Sequence, residues 1–248
     1  RLAAAGVPVN HTLGFSARQN YLIARIGRPA YVNVFLGRLN AFVADNGLGD
    51  GAYVGERATL ASQAAVRALR AGGVPSRQIA ASMRGGTQVA DLAGVDVMTL
   101  PPQVARETLQ LGLAPEDLAD RTGADYRPGI AKEADAAAAG LSSLWDVDDR
   151  LVACVDALER ENLDAFTPAD LVRFFGEHGC GDVLVDWSAE QVAASAAEGK
   201  IPRLANWRAA LAAGAVGLDS LMNLAGLNSF AADQRAMDQH VLRVLGGD

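Results

Sequence analysis

Ala30-Tyr31-Val32-Asn33-Val34-Phe35-Leu36-Gly37, followed at once by Arg38, is the stretch on which the fold turns. A short run of β-branched and aromatic residues closed by glycine and a charge reads as a buried strand. Working outward, similar runs lie at 7–15, 78–83 and 95–100. Helical patterns separate them: 17–25, capped by Ser16, then 56–71, ended by Gly72, Gly73 and Pro75, and a short helix opened by Thr87. This alternation is the signature of βα units on a parallel sheet, an α/β fold. A parallel sheet needs both faces covered, and four such strands fit half of an eight-stranded barrel.

Beyond Val104 the character changes. Ala/Leu-rich helical patterns are expected at 128–144, 148–159, 168–178, 188–198, 204–213 and near 231–245, with a short strand at 181–187. Thr167 and Pro168 form a good N-cap and first-turn pair. The organisation expected is a sheet-bearing part over 1–112 and a helical extension over 113–248. The opening Arg1-Leu2-Ala3-Ala4-Ala5-Gly6 reads as a helix end running into a strand, so further sequence is expected upstream.

The chain has 248 residues and a formal net charge of −7, which argues against a nucleic-acid partner. Convergent arginines can still bind a small anion in an acidic protein. Charges interrupt every apolar stretch before membrane-spanning length, so no membrane partner is expected. Cys154 and Cys180 read as reduced thiols in a cytoplasmic protein. The scattered His11, His178 and His240 propose no zinc site, and neither a metal nor a cofactor is expected.

Several polar residues stand at strand ends. Asn10 and Thr12 are two apart and so share one face of a strand; their alternative reading is a satisfied pair in the core. His11 points the other way and is expected to pack under a helix. Arg38 and Arg84 each follow a strand end, one strand apart. A lone strand-end arginine is usually a surface ion-pair former, but two that converge suit a terminal phosphate. Ser82 can add a hydroxyl donor.

Five stretches in order resemble the transaldolase family: Val9-Asn10-His11-Thr12-Leu13-Gly14-Phe15-Ser16, Asn33-Val34-Phe35-Leu36-Gly37-Arg38-Leu39, Ala81-Ser82-Met83-Arg84, Leu92 to Pro102, and Phe230-Ala231-Ala232-Asp233-Gln234-Arg235. The resemblance covers residues 6–112 and 228–245 and leaves the middle as an enlargement. It implies a TIM (βα)₈ barrel of which strands 5–8 are present. It also implies transfer of a dihydroxyacetone unit between sugar phosphates through a lysine Schiff base. By resemblance, Asn10 contacts the Schiff-base substrate, Thr12 holds a catalytic water, and Arg38, Ser82 and Arg84 bind phosphate. Asn33 replaces a serine that binds the donor's terminal hydroxyl, and Asn40 replaces a frequent acid. Phe35 lacks the hydroxyl found in related fructose-6-phosphate aldolases, which favours a transferase.

The sequence has two lysines, Lys132 and Lys200, both in the helical part and both expected as surface charges. The Schiff-base lysine is therefore expected upstream, and the chain as a fragment inactive alone. The alternatives are a non-catalytic phosphosugar-binding homologue or a fructose-6-phosphate aldolase-like enzyme. The extra segment near 140–205 is expected to pack on the barrel, with oligomerisation as its other reading. A homo-oligomer is a possible partner state.

Overall fold

The structure is a computed structural model and describes residues 2–246; Arg1, Gly247 and Asp248 lie outside the described residues. Residues 2–6 form turns rather than the expected helix end. Strands β1 (Asn10–His11), β2 (Tyr31–Phe35), β3 (Arg77–Ala81) and β4 (Val97–Met98) form one sheet in sequence order. Every neighbouring pair is parallel, so the α/β expectation with a parallel sheet holds. The inner strands pair from Tyr31↔Arg77 to Phe35↔Ala81. The outer two are short for local reasons. Pro8 has no N–H to donate before β1, Leu13 turns to a φ of 62° after it, and Pro101-Pro102 follows β4.

The crossovers supply the cover. Helix α1 (Ala17–Leu22) starts on Ser16, whose hydroxyl accepts from the Gln19 N–H at 3.0 Å, and runs into one π turn at Ile23–Gly27. Helix α2 (Leu36–Asp45) begins where β2 ends, and α3 (Val54–Arg70) packs across α1, α2 and β3. Helices α4 (Thr87–Asp91) and α5 (Pro102–Gln110) follow β3 and β4. Each fully buried Leu, Val or Phe on these elements contributes about 1.5–3 kcal/mol of transfer free energy.

The extension contains α6 (Glu133–Ala138), α7 (Asp149–Leu158), α8 (Pro168–Glu177), α9 (Ala189–Glu198), α10 (Leu204–Ala212) and α11 (Leu218–Val244). Three expectations need correction. The helix over 128–144 shrinks to α6 and a 3-10 turn at Leu141–Leu144, because 129–132 runs extended along the 48–52 loop. Gly129 donates to the Ala52 carbonyl at 2.7 Å, and Ala131 donates to Leu48 at 2.8 Å. The strand over 181–187 is absent. Its carbonyls serve α11 instead: Ser220 Oγ donates to Asp182 and Val183 at 2.8 Å each. The last helix starts at Leu218, well before 228. Residues 218–226 are buried on all sides apart from half-buried Asn223, with Asp219 and Ser220 bonded inside the core, so they carry no amphipathic period.

The sheet and the extension share one core. Phe15, Leu36 and Phe42 pack in the same cluster as Leu141, Trp207, Leu221 and Met222. A second cluster joins Tyr21 of α1 to Leu151, Val155, Phe174 and Phe175. Cys154 and Cys180 are free thiols within it, and burial, with the Cys180 sulfur alongside, pushes Cys154 up to about 12. Among the described residues, no helix is long and apolar enough to cross a membrane, and no cluster of His, Cys, Asp or Glu could hold a metal ion.

Candidate active site at the carboxyl ends of the strands

Parallel sheets present ligand-binding groups outside their carboxyl ends, and the polar residues singled out above stand at those ends. Asn33, 3% exposed, donates through Nδ2 to Asn10 Oδ1 at 2.7 Å and to the His11 carbonyl at 2.9 Å. Its own carbonyl accepts from Asn20 Nδ2 at 2.9 Å. A buried amide on β2 thus fixes the end of β1. Asn10 and Thr12 are themselves exposed, so they are not the buried pair expected from alternation. The reason is position: β1 is an edge strand, paired only with β2 among the described residues.

Arg38 lies on the first turn of α2 and is 7% exposed. Its guanidinium stands beside two neighbouring rings, Phe35 and Phe230, each 5.6 Å away. Phe230 comes from α11, and its ring lies 6.3 Å from that of Phe35. Nη1 of Arg38 is buried with no hydrogen-bond partner. Burial lowers the Arg38 pKa first and the charge of Arg84 second, while Asp233 works in the opposite direction. So the two arginines are near enough to repel, and Arg38 keeps an unanswered donor.

Arg84 is exposed and reaches Arg38 across Gly37. A Cβ on Gly37 would stand 2.8 Å from Arg84 Cγ and 2.9 Å from Nε, and it would strike the Ser82 carbonyl. Only glycine lets the two strand ends approach in this way. Ser82 itself takes a φ of 62° directly after β3. A non-glycine residue held there costs about 1–3 kcal/mol, and such strain clusters at functional sites.

Sequence reasoning missed what supports Arg84. Gln88 Oε1 accepts from the Arg84 N–H at 2.6 Å and the Gly85 N–H at 3.2 Å. Its Nε2 donates to buried Glu56 at 2.5 Å, and Glu56 accepts from Asn40 at 3.0 Å. Asn40 in turn accepts from the Gly55 N–H at 2.6 Å. Asn40 therefore joins a buried polar chain that fixes the loop after β3. A glutamine one place after a helix-opening threonine carries no sequence signal of this.

Thr12 opens onto a cavity of about 410 Å³, whose lining includes His11, Leu13, Leu22, Asn223 and Phe230. Through Phe230 this cavity meets the Phe35–Arg38 contact. His11 shares this cavity wall with Gln19 and Leu22 of α1; burial lowers its pKa, and Nδ1 is buried without a partner. Lys132 and Lys200 are exposed. Lys132 lies beside Gly47 and Lys200 beside Asp45 and Asn46, beyond the far end of α2 from Arg38. At 1.5 Å per residue, that is roughly 10–15 Å along the helix.

A family model described as transaldolase/fructose-6-phosphate aldolase matches residues 1–172. The chain belongs to this family. Probable transaldolases from two strains of Thermus thermophilus are each 35% identical over 112 residues, 44% of this chain and 44% of the relative. A probable transaldolase of Desulfotalea psychrophila is 34% identical over 109 residues, 43% of this chain and 45% of the relative. The chain thus spans less than half the length of these curated relatives. No solved structure gives a significant match. In this family member, Phe35, Arg84 and Phe230, from three of the stretches that suggested the family, lie near Arg38.

Proposed function

We propose that the protein is a transaldolase, moving a dihydroxyacetone unit from a ketose phosphate to an aldose phosphate. The observation that carries this is the approach of Arg38 and Arg84 at two neighbouring strand ends, with Arg38 Nη1 buried and unanswered. Two guanidinium groups near enough to repel favour an anion that contacts both, and a phosphate monoester offers oxygens suited to such bonds. Ser82 is assigned a hydroxyl bond to the same phosphate.

The four strands are assigned as strands 5–8 of a (βα)₈ barrel, with the substrate lying along their carboxyl ends. A lysine amine condenses with the ketose carbonyl and releases water. A base takes the proton of the hydroxyl beside the scissile carbon–carbon bond, the shortened aldose phosphate leaves as an aldehyde, and the electron pair of the broken bond passes to the iminium as an enamine. The three-carbon carbanion then attacks the aldose aldehyde, and hydrolysis frees the lysine. Asn10, fixed by Asn33, is assigned to the bound three-carbon unit, and Thr12 to the water that carries protons. Phe35 has no acidic hydroxyl and packs against Phe15 and Phe230, which favours transfer over simple aldol cleavage. Lys132 and Lys200 are exposed and remote, so the Schiff-base lysine is assigned to sequence outside these residues.

Titration with fructose 6-phosphate and with fructose tests the phosphate side. The phosphorylated sugar is expected to bind at least about tenfold more tightly, as two charge-assisted forks would give, with the difference lost in Arg38→Met and Arg84→Met. Equal binding of both sugars would overturn the assignment.

A further inference from the structure

We infer that Phe230 of α11 is a positioning residue for Arg38, so that the last helix completes the phosphate-binding fork. The inference rests on the phosphate role proposed for Arg38 and Arg84.

Arg38 has no carboxylate within ion-pair distance among the described residues, although it is nine-tenths buried. Its guanidinium is instead held by faces: Phe35 from the end of its own strand, and Phe230 from a helix almost two hundred residues away. A cation beside two aromatic rings is attracted to both quadrupoles. It also loses in advance the rotamer freedom that an arginine must otherwise give up on binding. Nη1 keeps no acceptor of its own, and Arg84 is close enough for its charge to act on the same guanidinium.

The path of α11 is shaped for this contact. Gly226, one turn before Phe230, faces Arg38: a Cβ there would lie 3.5 Å from Nη1 and 2.9 Å from Leu13 Cδ2. A Cβ there would press on the end of the Leu13 side chain, so the helix runs close over Leu13 and Arg38. Phe230 is 40% exposed, well beyond what a packing phenylalanine needs, and α11 is exposed from there on. Burial of Phe230 therefore does little for the core. Its ring partners are Arg38 and Phe35.

The test uses inorganic phosphate as probe and the whole 248-residue chain, titrated calorimetrically. Phe230→Leu is expected to weaken phosphate about fivefold, within the range of a partly desolvated cation–π contact. Its thermal midpoint should stay at the wild-type value, and Phe230→Tyr should restore affinity because the ring face returns. Met237→Ala, on the same helix beyond the site, should bind as wild type. An undiminished affinity in Phe230→Leu would overturn the inference, as would failure of a folded Phe230→Tyr to recover it. If wild type binds no phosphate, or Arg84→Met binds it as well as wild type, the phosphate reading falls and the inference with it. Loss in Arg84→Met with none in Phe230→Leu sinks the inference alone. A second measurement needs no variant: the Arg38 side-chain protons are expected upfield of ordinary arginine shifts beside the two rings, and ordinary shifts would contradict the contact.

Discussion

Arg18 of α1 grips Asp219 of α11 with two prongs, Nε to Oδ2 at 2.8 Å and Nη2 to Oδ1 at 2.6 Å, with both side chains buried. Ser16 Oγ adds a third bond to Asp219 Oδ2 at 2.6 Å, and Arg18 Nη1 reaches Asp182 Oδ2 at 2.6 Å. Burial works against the Arg18 charge, yet Asp219 and Asp182 more than offset it and raise its pKa. This network ties the first βα unit to the helix that carries Phe230. Removing one partner leaves a buried charge uncompensated, which costs about 3–5 kcal/mol. Asp219→Ala is expected to lower stability by that amount in urea unfolding. A loss under about 1 kcal/mol would show the pair to be dispensable.

Gly37→Ala places a methyl against the Ser82 carbonyl and the Arg84 stem. Overpacking of this kind costs on the order of 1–3 kcal/mol, and here it separates the two arginines. The expected outcome is a folded protein, modestly destabilised in urea, whose phosphate affinity falls by more than about tenfold as the paired charge-assisted bonds are lost. Wild-type affinity in Gly37→Ala would show that Arg84 does not need the close approach.

His11 gives a pH signature. Burial lowers its folded pKa below the ordinary 6.5, so the unfolded chain takes up a proton before the folded one does. Stability from this group is present above about pH 6.5 and lost as pH falls through that value. Thermal midpoints are expected to drop between about pH 7.5 and 5.5, and to drop less in His11→Gln. Equal slopes in both proteins would remove His11 as the source.

Much of this was legible in the residues. The short apolar runs ending in Gly37-Arg38 and Ser82-Met83-Arg84 gave strands and strand-end arginines in the right places. Ser16 and Thr167 cap the helices that follow them. What escaped depends on long-range contact. Arg18 and Asp219 look like ordinary surface charges in sequence, 201 positions apart. Phe230 belongs to a recognisable stretch, but its ring contact with Arg38 is set by where α11 crosses the sheet. The 128–144 region reads as helix by composition, yet its backbone bonds go to the 48–52 loop. The alternative of a satisfied core pair at Asn10 and Thr12 does not hold, since both are exposed on β1, which pairs only with β2 among the described residues.

Open edges have a consequence for solution behaviour. β1 and β4 are each paired on one side only among the described residues, and Leu227, Met237, Val244 and Leu245 are exposed along α11 and at its end. Unpaired edges and exposed apolar side chains favour association. Light scattering on the 248-residue chain is expected to give a mass above that of the 25.8 kDa monomer. A monodisperse monomer with a cooperative melt would contradict this.

The most direct measurement is borohydride reduction of the complete protein in the presence of a ketose phosphate, followed by mass spectrometry of its peptides. The account predicts a three-carbon adduct on a lysine that is neither Lys132 nor Lys200, lost when Arg38 and Arg84 are both replaced by methionine. An adduct on Lys132 or Lys200 would contradict the assignment of the nucleophile. No adduct at all, with sugar-phosphate binding intact, would contradict the transaldolase itself and leave a phosphosugar-binding protein.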